Sequence, residues 1–124
     1  MKRLALFLAT ATLLLGAAKE LPPVVHTAEA AKSEIVVKAR SKFTVLIPNP
    51  SDAPYQWSII SMNTKLVVSI GSPTPVPDAK TPSWSMTFQA LRLGRAPVRF
   101  VWGPKPGGEA TAPTVMREVL VTIE

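Results

Sequence analysis

The chain has no cysteine, one histidine and one tyrosine, and each shortage removes a class of chemistry. Without cysteine there is no disulfide, no thiolate nucleophile, no zinc–thiolate site and no lipid-modified cysteine near the amino terminus. His26, the lone histidine, falls in a segment that reads as a tail, so the expected folded part has no histidine for serine–histidine catalysis, and a histidine without partners makes no metal site. No glycine-rich phosphate loop or metal-ligand spacing is present. Asp52, Asp78 and Glu109 stand singly among prolines and glycines, with no hydrophobic setting to support a catalytic carboxylate pair. The residues therefore read as a non-enzyme with no cofactor, no metal and no small-molecule substrate. At 124 residues there is room for one small domain, held by core packing alone.

Long apolar runs are also scarce. The longest, Leu4 to Leu15, is shorter than the roughly 20 residues that cross a bilayer. Lys2 and Arg3 precede it and Gly16, Ala17 and Ala18 follow, the order of a cleavable signal peptide spanning 1–18. The mature chain is expected to start near Lys19 and to be exported, to a periplasm or outside the cell. Ala28-Glu29-Ala30 offers a second set of small residues, and a cut after Ala28 or Ala30 is expected to leave the folded part untouched. Residues 19–32 show no strand alternation and read as a flexible arm, with His26 an exposed tail residue. Loss of Lys2 and Arg3 leaves 12 basic against 8 acidic side chains, a formal charge of +4. That is too mild for a nucleic-acid binder.

Proline, in contrast, is abundant: 13 residues, about twice the usual share, which argues against helices and for strands joined by stiff loops. From Ser33 the sequence breaks into short β-branched and aromatic runs bounded by Pro, Gly, Asn and Asp. Seven are legible, at about 34–39, 43–47, 55–62, 65–70, 84–91, 96–102 and 115–123. Alternation is clearest where Ala96, Val98, Phe100 and Trp102 share one face, and where Val119, Val121 and Ile123 oppose Glu118 and Thr122. The expected fold is an all-β, immunoglobulin-like β-sandwich of about seven antiparallel strands over 33–124.

The connections alternate in kind. Those at 40–42, 63–64 and 92–95 are short; those at 48–54, 71–83 and 103–114 are long and hold ten of the prolines. If consecutive strands reverse direction, all the long loops fall at one end, where proline lowers the entropy lost on fixing them. A plainer reading is that the prolines only protect strand ends from edge pairing. Lys38, Arg40, Lys42, Lys65, Arg92 and Arg95 gather at the other end, either as solvated turn charges or as a cap with weak affinity for an anionic membrane surface.

The run Val45-Leu46-Ile47-Pro48-Asn49-Pro50-Ser51-Asp52-Ala53-Pro54-Tyr55-Gln56-Trp57 resembles the signature of the chagasin-type inhibitors of papain-like cysteine proteases. In that family an apolar strand leads to Asn-Pro-Thr-Thr-Gly and then Tyr-x-Trp. Phe88 to Trp102 is similar to the family's two strands around a Gly-x-Ala turn, here Gly94-Arg95-Ala96. The resemblance covers about residues 33–124. It implies a secreted, noncovalent inhibitor whose three loops wedge into the protease cleft. Asn49 and Pro50 match directly, and Ser51 stands where the family has threonine. Asp52 replaces the second threonine and Ala53-Pro54 replaces the glycine. The family's Gly-x-Gly-Gly motif is missing from 71–83. Where Arg-Pro-Trp is expected, the chain reads Gly103-Pro104-Lys105-Pro106, keeping a cation but no tryptophan.

The expected partner-binding residues are therefore Asn49, Pro50, Ser51, Asp52, Trp84, Pro104, Lys105 and Pro106. Trp84, at a loop exit, is the candidate exposed aromatic anchor. Trp57, Phe100 and Trp102 fall at inward positions and read as core. Tyr55 begins its strand, open to a corner-type hydrogen bond or a partner contact. A second functional reading stays open, a non-inhibitory structural or adhesion module of the cell envelope that holds another protein through the same loops.

Overall fold

The computed structural model describes residues 23–76 and 80–124, and these residues form eight strands in two four-stranded sheets with no helix. The expected signal peptide, residues 19–22 of the expected arm, and Pro77 and Asp78 lie outside the described residues. The strands are β1 (Val24–Thr27), β2 (Lys32–Val37), β3 (Lys42–Pro48), β4 (Tyr55–Ser61), β5 (Val67–Val76), β6 (Ser83–Ala90), β7 (Gly94–Pro104) and β8 (Val115–Ile123). One sheet has the order β1-β3-β6-β5 and the other β2-β8-β7-β4. The architecture is an immunoglobulin-like sandwich.

Period-two burial drives the assembly. Phe43, Val45 and Ile47 of β3 point inward with Met86, Phe88 and Ala90 of β6. From the other sheet come Tyr55 and Trp57 of β4, Ala96, Val98, Phe100 and Trp102 of β7, and Val119, Val121 and Ile123 of β8. Each large side chain so buried contributes about 1.5–3 kcal/mol relative to exposure. The aromatic rings form a ladder through this core. Phe43 stacks on Phe88 at 5.3 Å between centroids, Phe88 meets Phe100 edge-on at 6.2 Å, and Trp102 touches Trp57 at 5.6 Å and Tyr55 at 6.1 Å. Such pairs add about 0.5–1.5 kcal/mol each beyond burial, and the last three rings carry the ladder to the base of the long loops.

Three features depart from the sequence expectation. First, Val24–Thr27 is a strand rather than part of an arm: β1 pairs in parallel with β3, His26 opposite Val45, and His26 is half-buried. Ala28, buried to 1% exposure, follows it. A cut after Ala28 or Ala30 would thus remove a strand instead of leaving the fold untouched. Second, the pairing is not wholly antiparallel, because β2 also runs parallel to β8. Both parallel strands are sheet edges reached by the crossover at 28–31. Third, the expected loop at 71–83 is mostly strand. β5 continues to Val76, paired with β6 past a bulge between Ile70 and Thr74. Pro75 sits opposite Trp84 in this ladder, which is possible because β5 is an edge strand whose outer side needs no amide donor.

Candidate functional site: a loop cluster at one end of the sandwich

The strand directions bring the three long connections together. Pro48 at the end of β3 pairs with Ser83 at the start of β6, which also pairs with Val76 at the end of β5. Tyr55 at the start of β4 pairs with Pro104 at the end of β7, and Trp102 of β7 with Val115 at the start of β8. Residues 49–54, 80–82 and 105–114 therefore leave the sandwich at the same end.

Specific bonds tie these loops to one another. The Asn49 amide donates to the Pro82 carbonyl at 2.8 Å, joining loop one to loop two. Trp102 Nε1 donates to Ser51 Oγ at 3.1 Å, fixing loop one onto the aromatic ladder, and the Ala53 amide reaches the same hydroxyl at 3.4 Å. The Tyr55 hydroxyl donates to the Ala112 carbonyl and accepts from the Ala112 amide at 2.8 Å, which staples loop three to the root of loop one. Tyr55 is therefore a corner residue, settling the choice its position left open.

With those bonds in place, the predicted contact residues divide into two groups. Pro50 and Asp52 are exposed at the apex of loop one. Asn49 and Ser51 are half-buried beneath them and hold the apex. Asn49 Oδ1 is buried with no hydrogen-bond partner among the described residues, a condition that costs about 1–3 kcal/mol and calls for a reason. In loop three, Lys105 and Pro106 are exposed and Pro104 is half-buried at the end of β7. The Gly108 amide donates to the Lys105 carbonyl at 2.7 Å, and Gly107 has φ of +81°. Proline then glycine at the central positions makes this a type II turn, in which glycine takes the positive φ that other residues avoid. The turn holds Lys105 and Pro106 at a fixed corner.

Trp84 is not the exposed anchor expected of it. It shares the inward parity of Met86 and Phe88, lies half-buried, and packs against the core at the loop end. Part of its surface stays open to solvent. Trp57, Phe100 and Trp102 are core, at 1%, 0% and 1% exposure. Asp52 and Glu109 are both exposed.

Arg117 was not singled out by the sequence reading, yet it belongs to the inward parity of Val119, Val121 and Ile123. Its guanidinium lies 5.9 Å from the Trp57 ring centroid, and Nη1 donates to the Met116 carbonyl at 3.2 Å. Arg117 Nε and Trp57 Nε1 are buried without partners among the described residues. A cation over an indole face contributes about 0.5–2 kcal/mol. The signal was available in the parity of β8, where a lone arginine interrupts an apolar face.

No family model matches the chain, and no curated protein matches it in sequence. Solved structures do match in shape. Amebosin, known from a solution structure, is 13% identical, with a TM-score of 0.56 over 83% of this chain and 99% of its own. The cysteine protease inhibitor EhICP2 from Entamoeba histolytica is 12% identical, with a TM-score of 0.54 over 82% of this chain and 96% of its own. PbICP-C, solved in complex with falcipain-2, is 7% identical, with a TM-score of 0.51 over 86% of this chain and 96% of its own. The chain has the fold of these proteins over nearly their whole length.

Proposed function

We propose that this domain is a noncovalent inhibitor of papain-like cysteine proteases, blocking the catalytic cleft with three loops at one end of the sandwich. The observation that carries the reading is the cross-bracing of those loops by Asn49–Pro82, Trp102–Ser51 and Tyr55–Ala112. It is supported by the chagasin-type sequence around Asn49-Pro50 and by the fold shared with a cysteine protease inhibitor. The partner is a protein, and the chemistry is steric: nothing in the loops forms a bond to the enzyme.

In this reading the apex Pro50-Ser51-Asp52 enters the groove beside the enzyme's cysteine, and Lys105-Pro106 braces it from one side. A loop that is already fixed loses little entropy on docking, so more of the contact energy appears as affinity. Proline on both sides of the apex also resists the extended, mobile conformation that a protease cleaves. We further infer that the leader is removed after Ala18 and that the domain acts after export. A cut there keeps β1 and the buried Ala28, which the later cuts would delete.

Titration of papain or cathepsin L with the chain from Lys19 onward tests the reading. Stoichiometric loss of activity is expected. Full activity at micromolar protein would overturn it and favour a domain that uses the same loops to hold a non-protease partner.

A further inference from the structure

The end of the sandwich remote from the three loops carries a charge segregation that inhibition leaves unused. The turns at 38–41, 62–66 and 91–93 meet there. The Arg40 amide donates to the Ala90 carbonyl at 2.9 Å, and the Leu91 amide to the Leu66 carbonyl at 2.8 Å. Gly94 lies so close to Leu66 that a β-carbon would come within 3.2 Å of its side chain. These contacts gather Lys38, Arg40, Lys65, Arg92 and Arg95 on one face, all exposed. Among the described residues none of the five pairs with a carboxylate, and Glu124 is the acid at this end.

An apolar side chain projects from the middle of this basic face. Leu93, at 70% exposure, stands at the tip of its turn between Arg92 and Arg95. Beside the face, an open groove of about 490 Å³ is walled by Val24, Val36 and Phe43 and edged by Lys38 and Arg40. Val24 and Val36 are 62% and 56% exposed. Cations arranged around a solvent-facing apolar tip suit the headgroup layer of a bilayer, where phosphates meet the cations and the apolar tip enters the acyl boundary.

We propose that this basic end, with Leu93 at its tip, docks the domain on bilayers rich in anionic phospholipid. The strands separate this face from the loop cluster by about 25–35 Å at ~3.3 Å per residue, so docking leaves Pro50, Asp52 and Lys105 pointing away from the surface. The proposal rests on different residues from the inhibitor reading and stands or falls apart from it.

Co-sedimentation with lipid vesicles tests it, using the chain from Lys19 onward, which contains both sheets and omits the apolar leader. Binding is expected to vesicles of phosphatidylcholine mixed with phosphatidylglycerol, to weaken as salt is raised, and to be negligible with phosphatidylcholine alone. Arg92→Glu with Arg95→Glu should lower the partition coefficient by roughly fivefold or more per charge, and Leu93→Ser should weaken what binding survives in salt. Both changes are at exposed positions, so circular dichroism should show the native fold and protease titration should be unmoved. Equal binding to neutral and anionic vesicles, no binding to either, or an unaltered double variant would overturn the proposal. So would retention by an oligonucleotide without binding to anionic vesicles.

Discussion

The Tyr55 hydroxyl and the backbone of Ala112, 57 positions apart in the chain, exchange two hydrogen bonds, one in each direction. A single side chain at the root of loop one thereby sets the path of loop three. Because both bonds pass through one oxygen, Tyr55→Phe removes them together and leaves an amide and a carbonyl to find water. The expected loss is about 1–3 kcal/mol, or about 4–8 °C in melting temperature per kcal/mol for a domain of this size. Calorimetry checks the stability, and protease titration should show weaker inhibition through a faster off-rate, since the loop is loosened rather than altered in its contacts.

Ser51 and Asp52 are neighbours with opposite roles, and their alanine variants should separate them. Ser51→Ala strips Trp102 Nε1 of its acceptor, so thermal unfolding should shift downward by the equivalent of about 1–2 kcal/mol. Asp52→Ala touches an exposed apex and should leave stability within about 0.5 kcal/mol while changing the ranking of protease targets. Equal melting temperatures for the two variants would contradict the placement of Ser51 beneath the apex.

Removal of β1 should be costly although its side chains are mostly exposed. A chain begun at Ala31 loses the ladder from Val24–Phe43 to Thr27–Leu46 and the buried Ala28. At about 0.5–1.5 kcal/mol per backbone hydrogen bond, denaturant unfolding should reveal a loss of a few kcal/mol relative to the chain begun at Lys19. Amino-terminal sequencing of the exported protein should correspondingly find Lys19.

Arg40 occupies the left-handed region at φ of 65° in the turn between β2 and β3. That conformation costs about 1–2 kcal/mol for a residue with a β-carbon, against about 0.5–1 kcal/mol for the greater unfolded freedom of glycine. Arg40→Gly should therefore stabilise the domain by about 0.5–1 kcal/mol, read as a higher denaturant midpoint with an unchanged slope.

Much of this architecture was legible because the core strands obey a simple rule. In β3, β6, β7 and β8 alternate residues turn inward and, Arg117 and Gly94 apart, are apolar or aromatic, so the sequence alone placed their faces and nearly their ends. The loop cluster followed from counting strand reversals. What escaped notice lies at the edges. β1 has four residues and exposes both valines, so it carries no alternation to read. The second half of β5 contains Pro73 and Pro75, residues that signal a loop in any strand but an edge one. The position of Trp84 after Pro82-Ser83 points to exposure, whereas its parity with Met86 turns it inward. The bonds from Ser51 and Tyr55 depend on side chains meeting across the sheet, and no local pattern encodes them.

The most direct test of the central claim is binding to papain whose cleft is either open or already filled by a covalent peptidyl inhibitor, measured by calorimetry. If the three loops plug the cleft, the open enzyme binds one domain per molecule and the filled enzyme binds none. Undiminished binding to the filled enzyme would place the contact elsewhere and contradict the account.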